Sequence, residues 1–123
     1  MIFKEYASVF SEITGNKPYN YQHIVTRKIL AGENLILVAP TGCGKTWAAI
    51  VPFVFSLIKG EPVADRLIYV LPLRSLASSL YQSTSEALKK ARIELDIRLQ
   101  TGEQRDDPFF QGDIIFTTID QAL

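Results

Sequence analysis

This 123-residue sequence is sparing with the residues that mark secreted, metal-binding or strongly charged proteins. Its one cysteine, Cys43, excludes an internal disulfide and fits a reducing, cytoplasmic compartment. Its one histidine, His23, is too few for a paired-histidine metal nuclease and reads as a solvated helix residue. Basic and acidic residues balance at 13 each, so bulk charge points to no polyanionic partner, and any such contact must come from particular residues. The most apolar stretch, 47–58, is too short to span a bilayer and reads as a buried helix, so no membrane partner is expected. The start, Met1-Ile2-Phe3-Lys4-Glu5-Tyr6, lacks the apolar centre of a signal peptide. No Asp-Glu pair follows an apolar strand: Asp106-Asp107 sits in a polar stretch, and Asp120 is followed by Gln121-Ala122-Leu123. What remains is a length of one domain at most, with a 47% hydrophobic content ample for a core.

The most informative stretch is Ala39-Pro40-Thr41-Gly42-Cys43-Gly44-Lys45-Thr46. Leu35-Ile36-Leu37-Val38 before it reads as a buried strand and 47–59 after it as a helix. A strand, a glycine turn and Gly-Lys-Thr at a helix start form the arrangement that cradles triphosphates. Gly42 and Gly44 let the backbone curl so that N–H groups approach phosphate oxygens. The helix aims unpaired N–H groups and its positive end at the same oxygens. Lys45 is expected to reach the β- and γ-phosphates, and the Thr46 hydroxyl to ligate Mg²⁺. Thr41 and Cys43 complete the loop, whose first position is alanine rather than the pattern's glycine.

Phe3, Tyr6, Phe10 and Ile13 recur at helical spacing, and Gly15-Asn16-Lys17-Pro18 ends that helix. A second helix is expected over 21–31, stopped by Gly32. Pro52 should kink or break the helix after the glycine turn. Further strands are expected at 66–71, 93–99 and 114–117. The face Leu73, Leu76, Ala77, Leu80, Thr84, Ala87, Leu88 and Ala91 marks a helix between the first two of these. Alternating strands and helices argue for an α/β fold, a parallel sheet flanked by helices.

Three kinds of residue join the glycine turn as site candidates. Gln22 offers an amide donor and acceptor that match the N6 and N7 edge of adenine, and Tyr19 could pack on the base. Pro72, Arg74 and Ser75 follow one strand directly, at the carboxyl edge where α/β sheets place ligands. Thr101 and Gly102 follow the next strand and Thr118 the last, so small donors recur along one edge, where a nucleic-acid phosphate can be held. The same edge holds Asp120, which follows an apolar run but has Gln121 rather than glutamate after it.

Gln22, the 39–46 loop, Pro72-Leu73-Arg74-Ser75-Leu76, Thr101-Gly102 and Thr118-Ile119-Asp120-Gln121 resemble, in order, the first motifs of a superfamily 2 DExD/H helicase. The phrases Leu71-Pro72-Leu73-Arg74-Ser75-Leu76-Ala77-Ser78-Ser79-Leu80-Tyr81 and Ile114-Ile115-Phe116-Thr117-Thr118-Ile119-Asp120-Gln121-Ala122-Leu123 resemble more narrowly the CRISPR-associated helicase of type I interference systems. The resemblance implies an incomplete RecA-like P-loop NTPase fold, with a helical adenine-recognition segment at 1–32 and a partial P-loop domain at 33–123. It implies ATP and Mg²⁺ as cofactors, single-stranded DNA as a partner and an RNA-guided surveillance complex that recruits the protein. By resemblance, Gln22 recognises adenine, and Arg74, Ser75, Thr101, Gly102 and Thr118 touch the DNA backbone.

The family's Asp-Glu pair and its second RecA-like domain, which supplies an arginine finger worth roughly 10³–10⁵ in rate for comparable NTPases, are not found in this sequence. These residues are therefore expected to bind ATP without meaningful turnover. An incomplete sheet whose last strand lacks a neighbour is expected to favour self-association. Other readings are a different superfamily 2 helicase, a short nucleotide- or nucleic-acid-binding regulatory protein without catalysis, and a small P-loop kinase. The last is disfavoured because no lid-like arginine cluster stands out.

Overall fold

The computed structural model describes residues 2–39, 44–102 and 110–122. Pro40, Thr41, Gly42 and Cys43 of the glycine turn lie outside these residues, as do Asp106-Asp107 and Pro108. The chain forms two compact units, Met1–Ala64 and Asp65–Leu123.

The first unit is helical. Helix α1, Ile2–Thr14, buries Tyr6, Phe10 and Ile13 at the expected helical spacing. Gly15, at φ +78°, ends it by donating its N–H to the Ser11 carbonyl at 2.8 Å. Helix α2, Asn20–Leu30, buries Gln22, Val25 and Thr26. Helix α3, Lys45–Ile58, packs against both α1 and α2. It is buried almost all round, from Ala48 through Ser56, as its continuous apolar sequence requires. The helix continues through Pro52, so the expected break does not occur.

The expected strand over 35–38 does not form. Ile36 is 92% and Val38 89% exposed, and no ladder involves them among the described residues. An apolar run becomes a strand only when a neighbour accepts its N–H and C=O groups.

The second unit is a three-stranded parallel sheet carrying α4, Arg74–Lys90, and a one-turn α5, Ile119–Ala122. Its strands are β1, Leu67–Leu71, β2, Ile97–Gln100, and β3, Ile114–Thr118, in the order β1-β3-β2. In register, Tyr69 and Leu99 flank Phe116 on either side. Strand β3 is therefore central and buried at all five positions, not an edge lacking a neighbour. That removes the ground on which self-association through this strand was expected.

Several details differ from expectation: α2 is Asn20–Leu30 rather than 21–31, α3 is Lys45–Ile58 rather than 47–59, and β1 begins at Leu67 rather than 66. Strand β2 begins at Ile97, not at 93, because Asp96 is engaged otherwise: its N–H donates to the Asp113 carboxylate at 2.8 Å, and its side chain pairs with Arg98 at 2.7 Å. The Arg98 guanidinium also holds the Asp96 carboxyl below the usual carboxylate range. On α4, Ala77, Thr84 and Leu88 are buried as expected, while Leu73 and Leu76 are exposed. Leu73 precedes the helix in extended conformation, and Leu76 lies about 100° around the helix from Ala77.

Candidate nucleotide and nucleic-acid sites

In the first unit the geometry centres on Gly44. It adopts a left-handed conformation, φ 78° and ψ 31°, immediately before α3 starts at Lys45. Only glycine takes this conformation readily, and a β-carbon here would stand 2.6 Å from the Gln22 amide nitrogen. Lys45 is exposed and Thr46 half-buried in the first turn of α3. Thr41, Gly42 and Cys43 lie outside the described residues, so their expected roles stay with the sequence pattern.

Gln22 ties two chain segments together. Its carbonyl oxygen accepts the Tyr19 N–H at 2.7 Å, and its amide nitrogen donates to the Gly44 carbonyl at 2.9 Å. The Gln22 N–H returns a bond to the Tyr19 carbonyl at 3.0 Å, which closes the start of α2. These contacts settle which way the amide points and leave it one N–H and one lone pair. Gln22 is only 1% exposed, yet it lines a cavity of about 400 Å³ together with Phe10, Lys17, Tyr19, Gly44 and Trp47. Tyr19, 60% exposed, stacks on Tyr21 with 6.2 Å between ring centroids. Burial pushes the Tyr6 hydroxyl up from its ordinary range; it donates to the backbone carbonyl of Gln22 at 3.5 Å and so ties α1 to α2.

In the second unit the strand order brings three loops to one edge. Pro72, Arg74 and Ser75 follow β1 and are exposed. Thr101 and Gly102 follow β2, with Thr101 3% exposed and Gly102 half-buried. The Arg74 guanidinium lies against Gly102, whose missing β-carbon would stand 2.6 Å from an Arg74 Nη atom. Thr118 ends β3, is 2% exposed and donates its hydroxyl to Asp120 at 2.5 Å. That bond is the main cause holding the Asp120 carboxyl below the usual carboxylate range, with the Arg74 charge a lesser one. The strand order therefore brings Arg74 and Gly102 together, while Thr101 and Thr118 are buried.

A family model for DEAD/DEAH box helicases matches residues 19–123. The chain belongs to that family. It is 39% identical over 77 residues, 63% of its length, to an ATP-dependent DNA helicase Hel308 of Aeropyrum pernix. It is 27% identical over 111 residues, 89% of its length, to reverse gyrase 2 of Aquifex aeolicus. An ATP-dependent RNA helicase DBP3 of Eremothecium gossypii is 37% identical over 79 residues, again 63% of the chain. The chain spans only 10%, 9% and 15% of these three proteins respectively. Its parallel sheet and helices are those of a partial RecA-like helicase domain.

Within this helicase segment, sequence reasoning passed over Phe10, Lys17 and Trp47 as walls of the cavity and Tyr21 as the stacking partner of Tyr19. Trp47 had a signal, since it directly follows Lys45-Thr46 at the start of the helix. Phe10 had none, because its helical spacing already explained it as core. Among the described residues no cluster of His, Cys, Asp and Glu could hold a metal, and no helix is long and apolar enough to cross a membrane.

Proposed function

We propose that this chain carries the ATP-binding surface and part of the nucleic-acid-binding surface of an ATP-dependent helicase that moves on single-stranded DNA. The observation that carries this reading is the Gln22 amide, held beside an aromatic-walled cavity by Tyr19 and by Gly44, the residue before Lys45. Its remaining N–H and lone pair match the N7 acceptor and N6 donor of adenine, whereas guanine presents two acceptors there. Tyr19 is the exposed ring available to the base. Lys45, Thr46 and the α3 N-terminus fit the triphosphate, with Thr46 supplying one Mg²⁺ ligand. Thr41, Gly42 and Cys43 would add backbone donors. Bound Mg²⁺ would neutralise charge on the β- and γ-phosphates. None of these residues supplies the carboxylate pair that orients an attacking water, so the chemistry proposed for them is binding.

The test uses the protein's one tryptophan, Trp47, which lines the cavity. Its emission should change on addition of ATP, and Lys45→Ala should abolish the change. Gln22→Ala should lower the preference for ATP over GTP by roughly 10-fold, the worth of one two-point base contact. An unchanged ratio in calorimetric titrations would remove Gln22 from base recognition.

At the sheet edge, the exposure of Pro72, Arg74 and Ser75 supports contact with a nucleic-acid backbone. The narrower reading, a helicase recruited in type I CRISPR interference, rests on the phrases at 71–81 and 114–123 alone. Co-purification with an RNA-guided surveillance complex supports it. Its absence, with binding to single-stranded DNA retained, leaves a helicase of another branch.

A further inference from the structure

The strand order β1-β3-β2 separates the loop after β1 from the loop after β2 by the full width of β3. Arg74 begins α4 after β1, yet its guanidinium rests on Gly102, after β2. The side chain therefore crosses the carboxyl end of β3, where Thr118 and Asp120 lie. Three guanidinium atoms, Nη, Cζ and Nε, would stand 2.6, 3.0 and 3.4 Å from a β-carbon at Gly102. A planar cation fits that space only because residue 102 has no side chain. Gly102 is not among the glycines with left-handed backbone, so conformational freedom does not require glycine here.

We propose that Gly102 is a positioning residue: it seats the Arg74 guanidinium across the end of β3, in the orientation that meets a backbone phosphate of single-stranded nucleic acid. The inference rests on the nucleic-acid reading of this edge and adds a residue that acts through another. Gly102 need make no contact with the strand itself. The clash of an added methyl is with the far end of a flexible side chain, so Gly102→Ala shifts the guanidinium and leaves the sheet intact. The substitution therefore tests arginine placement separately from folding.

The experiment measures binding of a labelled oligodeoxythymidylate to the full-length protein over a range of salt concentrations, with circular dichroism as the folding control. Each phosphate contact on a single strand contributes about 0.7 to the slope of log K against log salt, or about 5-fold in affinity near 0.1 M. Arg74→Ala should lower the slope by about 0.7, and Gly102→Ala should match it in both slope and affinity. In an Arg74→Lys background, Gly102→Ala should change neither, because a compact ammonium on a flexible stem passes a methyl that a planar fork cannot. A Gly102→Ala protein with the parental slope overturns the proposal. So does an equal loss in the Arg74→Lys background, which would mean that Gly102 acts through its own backbone. An unchanged slope for Arg74→Ala overturns the nucleic-acid reading of this edge, and the seat with it.

Discussion

Residues 35–38 and residues 114–118 look alike on paper and behave as opposites. Leu35-Ile36-Leu37-Val38 and Ile114-Ile115-Phe116-Thr117 are both four-residue runs made mostly of large apolar residues. The second is the central strand, paired on both sides, with Ile114, Ile115 and Phe116 at 0% exposure. The first belongs to no ladder among the described residues, and its Ile36 and Val38 are open to solvent. The difference teaches that hydrophobicity nominates a strand but a hydrogen-bonding neighbour decides it.

Substitution should expose that contrast most strongly. Phe116→Ala removes a fully buried ring that packs against Tyr69 at 5.6 Å, and should destabilise the protein by about 3–5 kcal/mol in denaturant titrations. Ile36→Ala should stay within about 0.5 kcal/mol. A loss above about 1.5 kcal/mol at Ile36 would mean that its segment is paired in solution, and the contrast would break. Amide exchange sharpens the same comparison without mutation. The β3 amides should exchange only on global opening and those of 35–38 without protection; protection at Ile36 and Val38 would contradict the structure.

The smallest effect lies at the end of β3, where a fully exposed carboxylate meets a buried hydroxyl. The Thr118 hydroxyl holds the folded-state pKa of Asp120 below its unfolded value. Its contribution to stability is therefore present above the ordinary aspartate range and lost as pH falls through the folded-state value. A carbon-detected NMR titration should place the Asp120 midpoint below that range, and Thr118→Val should raise it. An unshifted midpoint in the parent would show that the hydroxyl bond does not persist in solution.

Much of the fold was legible because helices carry their signals locally. Tyr6, Phe10 and Ile13 marked the buried face of α1, and Gly15 its end. The Gly-Lys-Thr run marked where α3 starts, although the helix begins at Lys45, two residues ahead of the expected 47, directly after the left-handed Gly44. The site candidates were legible as types but not as partners. Gln22 was singled out for its amide, yet nothing in the linear order says that the amide binds Tyr19 and Gly44 at once. Arg74 and Gly102 were each chosen as strand-end residues, but their contact depends on β3 inserting between β1 and β2. Thr101 and Thr118 were chosen for hydroxyls whose burial no spacing rule reveals.

By itself the sequence determined the local devices: the helix faces, the glycine turns, the Gly-Lys-Thr start of α3 and the motif order that places the chain among DEAD/DEAH box helicases. These depend on steric and hydrogen-bonding preferences acting over a few residues. Only the tertiary structure decided which apolar run became the central strand, how the Gln22 amide is oriented and where Arg74 lies. Those outcomes depend on groups distant along the chain, brought together by burial and by the need of every buried N–H and C=O for a partner.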